Sequence, residues 1–235
     1  MTETAVIERR LRELLGLAHA PVAVTFTAAP PAGAERVEAP AVSGCTYWKM
    51  AGEGRAFHTV AEDHHGCPIG AHTHHAPLTP EKAKELEGLI GTMVGLQYLK
   101  IEEVPHIPRR AAPLEVATYA PLSDAPAPPD VVLVRANARQ AMLLSEAAGM
   151  AGIGHAEGLL GRPTCAAIPE AIRAGRAVVS VGCIGNRVYT GLGDDELYFA
   201  VPGAALARLV LQLASIVRAN RELESFHRSR VASSA

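Results

Sequence analysis

Four cysteines are the residues of this sequence whose chemistry best suits a bound cofactor. Cys45 and Cys67 lie in the first half of the chain, and Cys165 and Cys183 lie in the second. Four cysteines in 235 residues are too few for a disulfide scaffold, so we expect thiols in a reducing compartment. Four converging thiolates would suit zinc or an iron–sulfur cluster. The alternative is four buried structural thiols, because free cysteine packs as a small hydrophobic residue.

The second cysteine lies inside a histidine-rich stretch, "AEDHHGCPIGAHTHH", from Ala61 to His75. His64 and His65 directly precede the Gly-Cys step and are candidate metal ligands or proton-transfer groups. The alternative is that they belong to a solvated loop. We expect a polar loop after Gly70, where the spacing of the remaining histidines does not favour a shared helix face: His72, His74 and His75.

The sequence around the cysteines is repeated. The stretch from Cys45 reads "CTYWKMAGEGRAFHTVAEDHHGCPIG", and the stretch from Cys165 reads "CAAIPEAIRAGRAVVSVGCIG". Both begin with Cys, reach Gly-Arg-Ala, pass through a β-type run and end in Gly-Cys and Ile-Gly. A Val-rich strand precedes each, "PVAVTF" in one case and "PDVVLV" in the other. The pattern predicts an internal duplication, in which Ala61–His65 is an insertion of the first copy.

The duplication predicts two pseudo-symmetric halves, 1–120 and 121–235, within one integrated globular unit. We expect an α/β or α+β fold in which each half is a small mixed sheet flanked by helices. The proline-rich segment "PLSDAPAPPD" lies near the junction. If a pseudo-two-fold axis relates the halves, either each half holds its own cysteine pair or all four cysteines converge between them.

The segment after the fourth cysteine adds three candidate cofactor-binding residues. Gly185 permits unusual backbone conformations next to Cys183, and Asn186 and Arg187 could bind an anionic group. A surface salt bridge is the alternative role for Arg187. The glycine-rich stretch Gly149–Gly161 lacks a Gly-x-Gly-x-x-Gly pattern and favours a connection between helices. No motif of a familiar hydrolase class is present.

Several elements must position these residues. An amphipathic helix is predicted to end near Gly16, and "PVAVTF", "VVLVR" and "ELYFAVP" are predicted strands. Thr79 as N-cap and Pro80 at the first helical position predict a helix with an apolar face formed by Leu86, Leu89, Ile90 and Met93. "ARQAMLLSEAAG" and Ala204 to about His227 are further predicted helices, and the last either packs across the halves or forms a homodimer interface.

Composition limits the partners. The formal net charge is −2 with no long run of one sign, which argues against nucleic acid and anionic membrane surfaces. No stretch approaches eighteen consecutive apolar residues, and the N-terminus lacks the apolar core of a signal peptide. We therefore expect a cytoplasmic protein.

The motifs "CTYWKMAGEGRAFHTVAEDHHGCPIG", "GRPTCAAIP" and "GCIGNRVYTGLGDDELYFAVPG", in this order, resemble one family. It is the uncharacterised archaeal and bacterial group named domain of unknown function 169, the ArCR family. The resemblance covers roughly residues 15 to 213. It implies that the four cysteines act together and that His64 matches a histidine of the family motifs, but it implies no catalytic activity.

Three functions are consistent with these residues. The first is a cofactor-dependent redox or metal-binding protein whose cysteines, joined by His64 and His65, hold an iron–sulfur cluster, with a redox partner or a small-molecule substrate. The second is a non-catalytic protein that binds a small molecule or zinc. The third is thiol–disulfide chemistry without metal. The sequence leaves open whether the protein is an enzyme.

Overall fold

The fold is known from a computed structural model that describes residues 2–156 and 162–233. The end of the glycine-rich stretch, 157–161, lies outside the described residues, so the helix connection expected there stays a prediction. In the described part, the six strands are β1 (Val22–Thr27), β2 (Phe57–Val60), β3 (Val116–Pro121), β4 (Val131–Asn137), β5 (Val178–Ser180) and β6 (Glu196–Pro202). The α-helices are α1 (Glu3–Leu15), α2 (Cys45–Gly52), α3 (Pro68–His74), α4 (Pro80–Gly95), α5 (Ala138–Met150), α6 (Ala167–Ala174), α7 (Ile184–Thr190) and α8 (Leu206–Ser233).

All six strands form one sheet in the order β2-β3-β1-β4-β6-β5, and every strand pair is antiparallel. The expected mixed α/β class is confirmed. The expectation that each half has its own small mixed sheet was wrong, because the strands form a single antiparallel sheet. The physical reason is the pairing of β1 with β4, in which Val22 lies opposite Leu133 and Val24 opposite Val131. This pairing joins the two halves into one hydrogen-bonded sheet.

The sheet is covered on both faces because its central strands are apolar on both sides. Along β4, Val131 and Leu133 pack into one core cluster, while Val132 and Val134 pack into the other. The second cluster contains residues of α1, α5 and α8. The first contains Trp48 and other residues of α2, α3 and α6, and also two of the cysteines. Cys45 and Cys165 therefore lie on one face of the sheet.

Local signals in the sequence set several helix ends. Thr79 caps α4, since its side chain accepts a hydrogen bond from the Lys82 amide, and Pro80 is the first helical residue. α1 ends at Gly16, whose φ of 67° is a left-handed conformation. The loop expected after Gly70 was wrong, because Pro68 begins α3, which includes His72 and His74. Within the described ranges, no helix combines the length and the apolar character needed to cross a membrane.

Candidate functional site

The four cysteines lie at the beginnings of four different helical segments. Cys45 is the first residue of α2, and Cys165 belongs to a short 3-10 turn, Thr164–Ala166, that leads into α6. Cys67 and Cys183 directly precede α3 and α7. All four line one cavity of about 300 Å³, which we call the four-cysteine cavity. Residues far apart in the chain thus meet at one place.

Close packing surrounds a glycine in each of the two cysteine turns. A Cβ atom at Gly182 would lie 2.6 Å from Cδ2 of Leu192, and the φ of 82° is a left-handed conformation that strains any other residue. A Cβ atom at Gly70 would lie 3.0 Å from Sγ of Cys67. The absence of a side chain at these two glycines therefore lets the cysteine turns pack closely against their neighbours.

One hydrogen bond connects the two cysteine segments of the second half. The backbone N–H of Cys183 donates to Oγ1 of Thr164 at 2.6 Å, and Thr164 is fully buried. Sγ of Cys183 in turn accepts from the backbone N–H of Asn186 at 3.5 Å, as the cap of α7. Cys165 and Cys183 are held next to each other in this way.

The electrostatics of the cavity favour protonated thiols at the two buried cysteines, Cys45 and Cys165, when no cation is bound. Burial raises the pKa of Cys45 to about 12, and it raises the pKa of Cys165 well above its ordinary value. The charges of the neighbouring cysteines add to both effects. The Asn186 amide moderates the shift at Cys45. All four cysteines are free thiols.

The donor set of the cavity suits iron or zinc, but the side chains do not form a closed single-ion site. Among the described residues, no group of three or more His, Cys, Asp or Glu side chains is arranged to hold one metal ion. The charges of Cys45, Cys67 and Cys183 nevertheless all influence Cys165. The four sulfur atoms are therefore neighbours around a cavity, without converging on one point.

The remaining walls of the cavity are mostly apolar. They include Ile69 of α3 and Ile184 and Tyr189 of α7, and the segment from α4 onward supplies Leu89, Met93, Tyr98, Leu99 and Ile107. Of the described residues that line the cavity, only Arg162 is charged. Its guanidinium lies 3.1 Å from the Glu103 carboxylate and 4.8 Å from the centre of the Tyr98 ring.

Comparison with known proteins decides the family. The family of uncharacterised ArCR proteins, domain of unknown function 169, matches residues 10–212. The chain belongs to this family. The matched range contains all four cysteines and confirms the resemblance seen in the sequence. No curated protein and no solved structure matches the chain.

In this ArCR family member, two of the three candidates next to the fourth cysteine line the four-cysteine cavity. They are Gly185 and Asn186. Arg187 is not among the lining residues. Its guanidinium donates to the carbonyl oxygens of Gly193 at 2.8 Å and Val181 at 2.6 Å, so it braces the loop between α7 and β6.

The segment Ala61–His65 of the ArCR chain lies outside the cavity lining. His64 is fully buried, its Nε2 atom lies 2.9 Å from Oγ1 of Thr59, and its ring centre lies 5.4 Å from that of His74. Burial, followed by the charge of His74, lowers the pKa of His64 well below 6.5, which keeps the imidazole neutral. Nε2 of His65 lies 2.7 Å from the carbonyl oxygen of Pro77. The structure brings neither histidine to the cavity.

Sequence reasoning missed the apolar and charged walls of the cavity. The apolar face of α4 was recognised through Leu89 and Met93, but nothing in the sequence indicated what this face covers. Arg162 lies three residues before Cys165 in the motif "GRPTCAAIP", but the motif alone indicated no role for it. The sequence also did not predict the burial of His74, because its neighbours in the sequence are polar.

Proposed function

We propose that this ArCR family member is a redox protein that binds one iron–sulfur cluster through four thiolates, those of Cys45, Cys67, Cys165 and Cys183. The observation that carries the proposal is that all four cysteines line a single cavity. Iron–sulfur clusters are held by cysteine thiolates, and dispersed ligands can be gathered by a fold. When bound, such a cluster would supply electron transfer or an open coordination position.

A cluster is supported better than a single zinc ion by the arrangement of the thiols. In a 4Fe–4S cluster each of the four cysteines binds a different iron, so the sulfur atoms need not converge on one point. Structural zinc requires four ligands around one ion, and no three candidate ligands among the described residues are so arranged. The donor set itself is compatible with both metals, and zinc remains the alternative cofactor.

The two-half organisation is part of the proposal. The strand order β2-β3-β1-β4-β6-β5 reads the same from both ends when β1, β2 and β3 are exchanged with β4, β5 and β6. This palindrome supports a duplicated unit with a pseudo-two-fold axis between β1 and β4. Under this proposal each half, 1–120 and 121–235, contributes two cysteines to one shared site. A reducing compartment such as the cytoplasm would keep these ligands as thiols.

A non-catalytic small-molecule-binding protein is the second candidate. The apolar wall formed by Leu89, Met93 and Ile107 favours it, since binding pockets are lined mainly by apolar side chains with a few polar groups. In that case the cysteines contact a ligand without holding a metal.

The proposal is tested on the full chain, purified anaerobically and reconstituted with ferrous iron and sulfide. We expect bound iron, acid-labile sulfide and a broad visible absorption that bleaches on reduction. Each single Cys→Ser variant should lose most of this absorption, because all four thiols belong to one site. His65→Ala is the matched control and should keep it. Loss from only one cysteine pair would indicate a local site instead.

Other outcomes would contradict the cluster. A colourless chain that binds zinc through the same cysteines would support the zinc alternative. A metal-free chain with four titratable thiols would support the small-molecule-binding protein, or thiol–disulfide chemistry if two cysteines cycle with a reductant.

A further inference from the structure

Asn186 presents an unusual buried amide to the four-cysteine cavity. The residue is 1% exposed and lines the cavity. Neither Oδ1 nor Nδ2 makes a hydrogen bond of good geometry to a described residue, although the Cys45 thiol and the Tyr198 hydroxyl are close enough for the amide to moderate the rise of their pKa values. A buried polar group without a partner costs about 1–3 kcal/mol, and such groups are normally satisfied by water or a ligand. The amide therefore indicates a further occupant of the cavity beside the thiols.

The charges around the cavity indicate what kind of molecule this occupant is. Arg162 is the only charged residue among the described lining residues, and the Glu103 carboxylate already neutralises it. A charged ligand would lose its hydration without gaining an opposite charge, which is costly. The apolar walls, such as Leu89, Met93 and Ile107, instead favour burial of an apolar body.

We propose that the four-cysteine cavity admits an uncharged small molecule with an apolar body, whose one hydrogen-bonding group pairs with the Asn186 amide. This inference rests on the proposed function, because the cysteines hold the cofactor in the same cavity and the molecule is its substrate. The cavity has a volume of about 300 Å³, part of which the cofactor would fill, so the molecule must be a small one. This volume is at the lower end of the roughly 300–1,000 Å³ range of ligand pockets.

The helix that forms one wall is suited to let such a molecule enter. None of the sixteen described residues of α4 is buried, although Leu89 and Met93 line the cavity. Gly88 and Gly91 lie inside this helix with open space around them, and each costs about 1 kcal/mol of helix stability relative to alanine. α4 is therefore a lightly packed wall, and we expect the molecule to enter past it.

The experiment compares benzamide with benzoate, two molecules of nearly the same shape that differ in charge. Binding to the anaerobically reconstituted full chain is measured by ligand-observed saturation-transfer NMR. We expect benzamide to bind about tenfold more tightly than benzoate or better, a difference of about 1.4 kcal/mol. Asn186→Leu and Asn186→Ala should each weaken the binding of benzamide about tenfold, because the hydrogen bond to the amide is lost.

A wall variant and its control keep the test independent of the Asn186 variants. Leu89→Asp adds a charge to the lining and should abolish benzamide binding. Leu96→Asp is the matched control, since Leu96 is 74% exposed, follows α4 directly and does not line the cavity. Equal binding of benzoate and benzamide, or unchanged benzamide binding in the Asn186 or Leu89 variants, would overturn the inference.

Iron, sulfide and absorption are measured on the same samples. A chain that binds the cluster but no benzamide contradicts this inference alone. A chain that binds benzamide at the predicted site without iron contradicts the proposed cluster alone, and leaves the small-molecule-binding protein as its function.

Discussion

Thr164 should hold the two cysteine turns of the second half together. Its buried Oγ1 accepts the backbone N–H of Cys183 at 2.6 Å, and Thr164 itself directly precedes Cys165. Thr164→Val keeps the branched shape of the side chain and removes the hydroxyl, which is the acceptor of the Cys183 N–H. Thr164→Ser keeps the hydroxyl and loses one methyl group. The pair of variants therefore separates the hydrogen bond from packing.

The size of the effect follows from the burial of both partners. Leaving a buried N–H without a partner costs about 1–3 kcal/mol, and we expect about 1–2 kcal/mol because water can reach the partly exposed Cys183. At about 2–4 °C per kcal/mol for a chain of this size, the melting temperature of Thr164→Val should fall by about 2–8 °C. Thr164→Ser should lose a comparable amount, about 0.8 kcal/mol, through the missing methyl group.

Stability alone does not distinguish these variants, so the deciding assay is the alkylation of Cys183. The reduced, metal-free chain is treated with a neutral maleimide, and the modified cysteine is identified by mass spectrometry. Cys183 should react faster in Thr164→Val than in the native chain, because its turn is released, and at the native rate in Thr164→Ser. A native alkylation rate and a native melting temperature in Thr164→Val would refute the role of this hydrogen bond.

Three further predictions concern the cavity wall, the buried histidine pair and the loop after α7. Arg162→Ala should speed maleimide modification of the cavity cysteines but change the free energy of unfolding by less than about 1 kcal/mol, because its ion pair is largely exposed; Arg228→Ala is the control. Burial lowers the pKa of His74 from 6.5 to about 4. As the pH falls, His74 is therefore protonated in the unfolded chain before it is protonated in the folded chain. The contribution of neutral His74 to the free energy of unfolding is fully present above pH 6.5, and about 2 kcal/mol of it is lost near pH 5. Urea unfolding of His74→Phe should show a smaller loss between neutral pH and pH 5, and the exposed His227→Phe should not. Arg187→Ala should lower stability by about 1–3 kcal/mol through lost hydrogen bonds to carbonyl groups and leave the iron bound per folded chain unchanged.

Each of these predictions has a contradicting result. Unchanged maleimide rates in Arg162→Ala would mean that the ion pair does not restrict access to the cavity. An identical acid dependence in His74→Phe and the native chain would assign the loss to His64 and other groups. Loss of iron from a well-folded Arg187→Ala variant would show that Arg187 contributes to cofactor binding.

Strong local patterns predicted the elements that carry the site. Thr79 and Pro80 located the start of α4, and "ELYFAVP" coincides with β6, because caps and strand patterns act through neighbouring residues. The last helix extends to Ser233, beyond the expected end near His227. Helix ends without a glycine or proline signal are set by packing and fraying, which a local pattern does not contain.

The sequence by itself determined which side chains have the chemistry of ligands, and its repeated pattern predicted that Cys45, Cys67, Cys165 and Cys183 form two related pairs. Only the tertiary structure decided that the pairs share one cavity, because β1 pairs with β4 over more than a hundred residues of chain. It also placed His64 against His74 and outside the cavity lining, and it brought the apolar face of α4 over the thiols. An amphipathic pattern shows that a face must be covered, whereas its partner depends on how the whole chain packs.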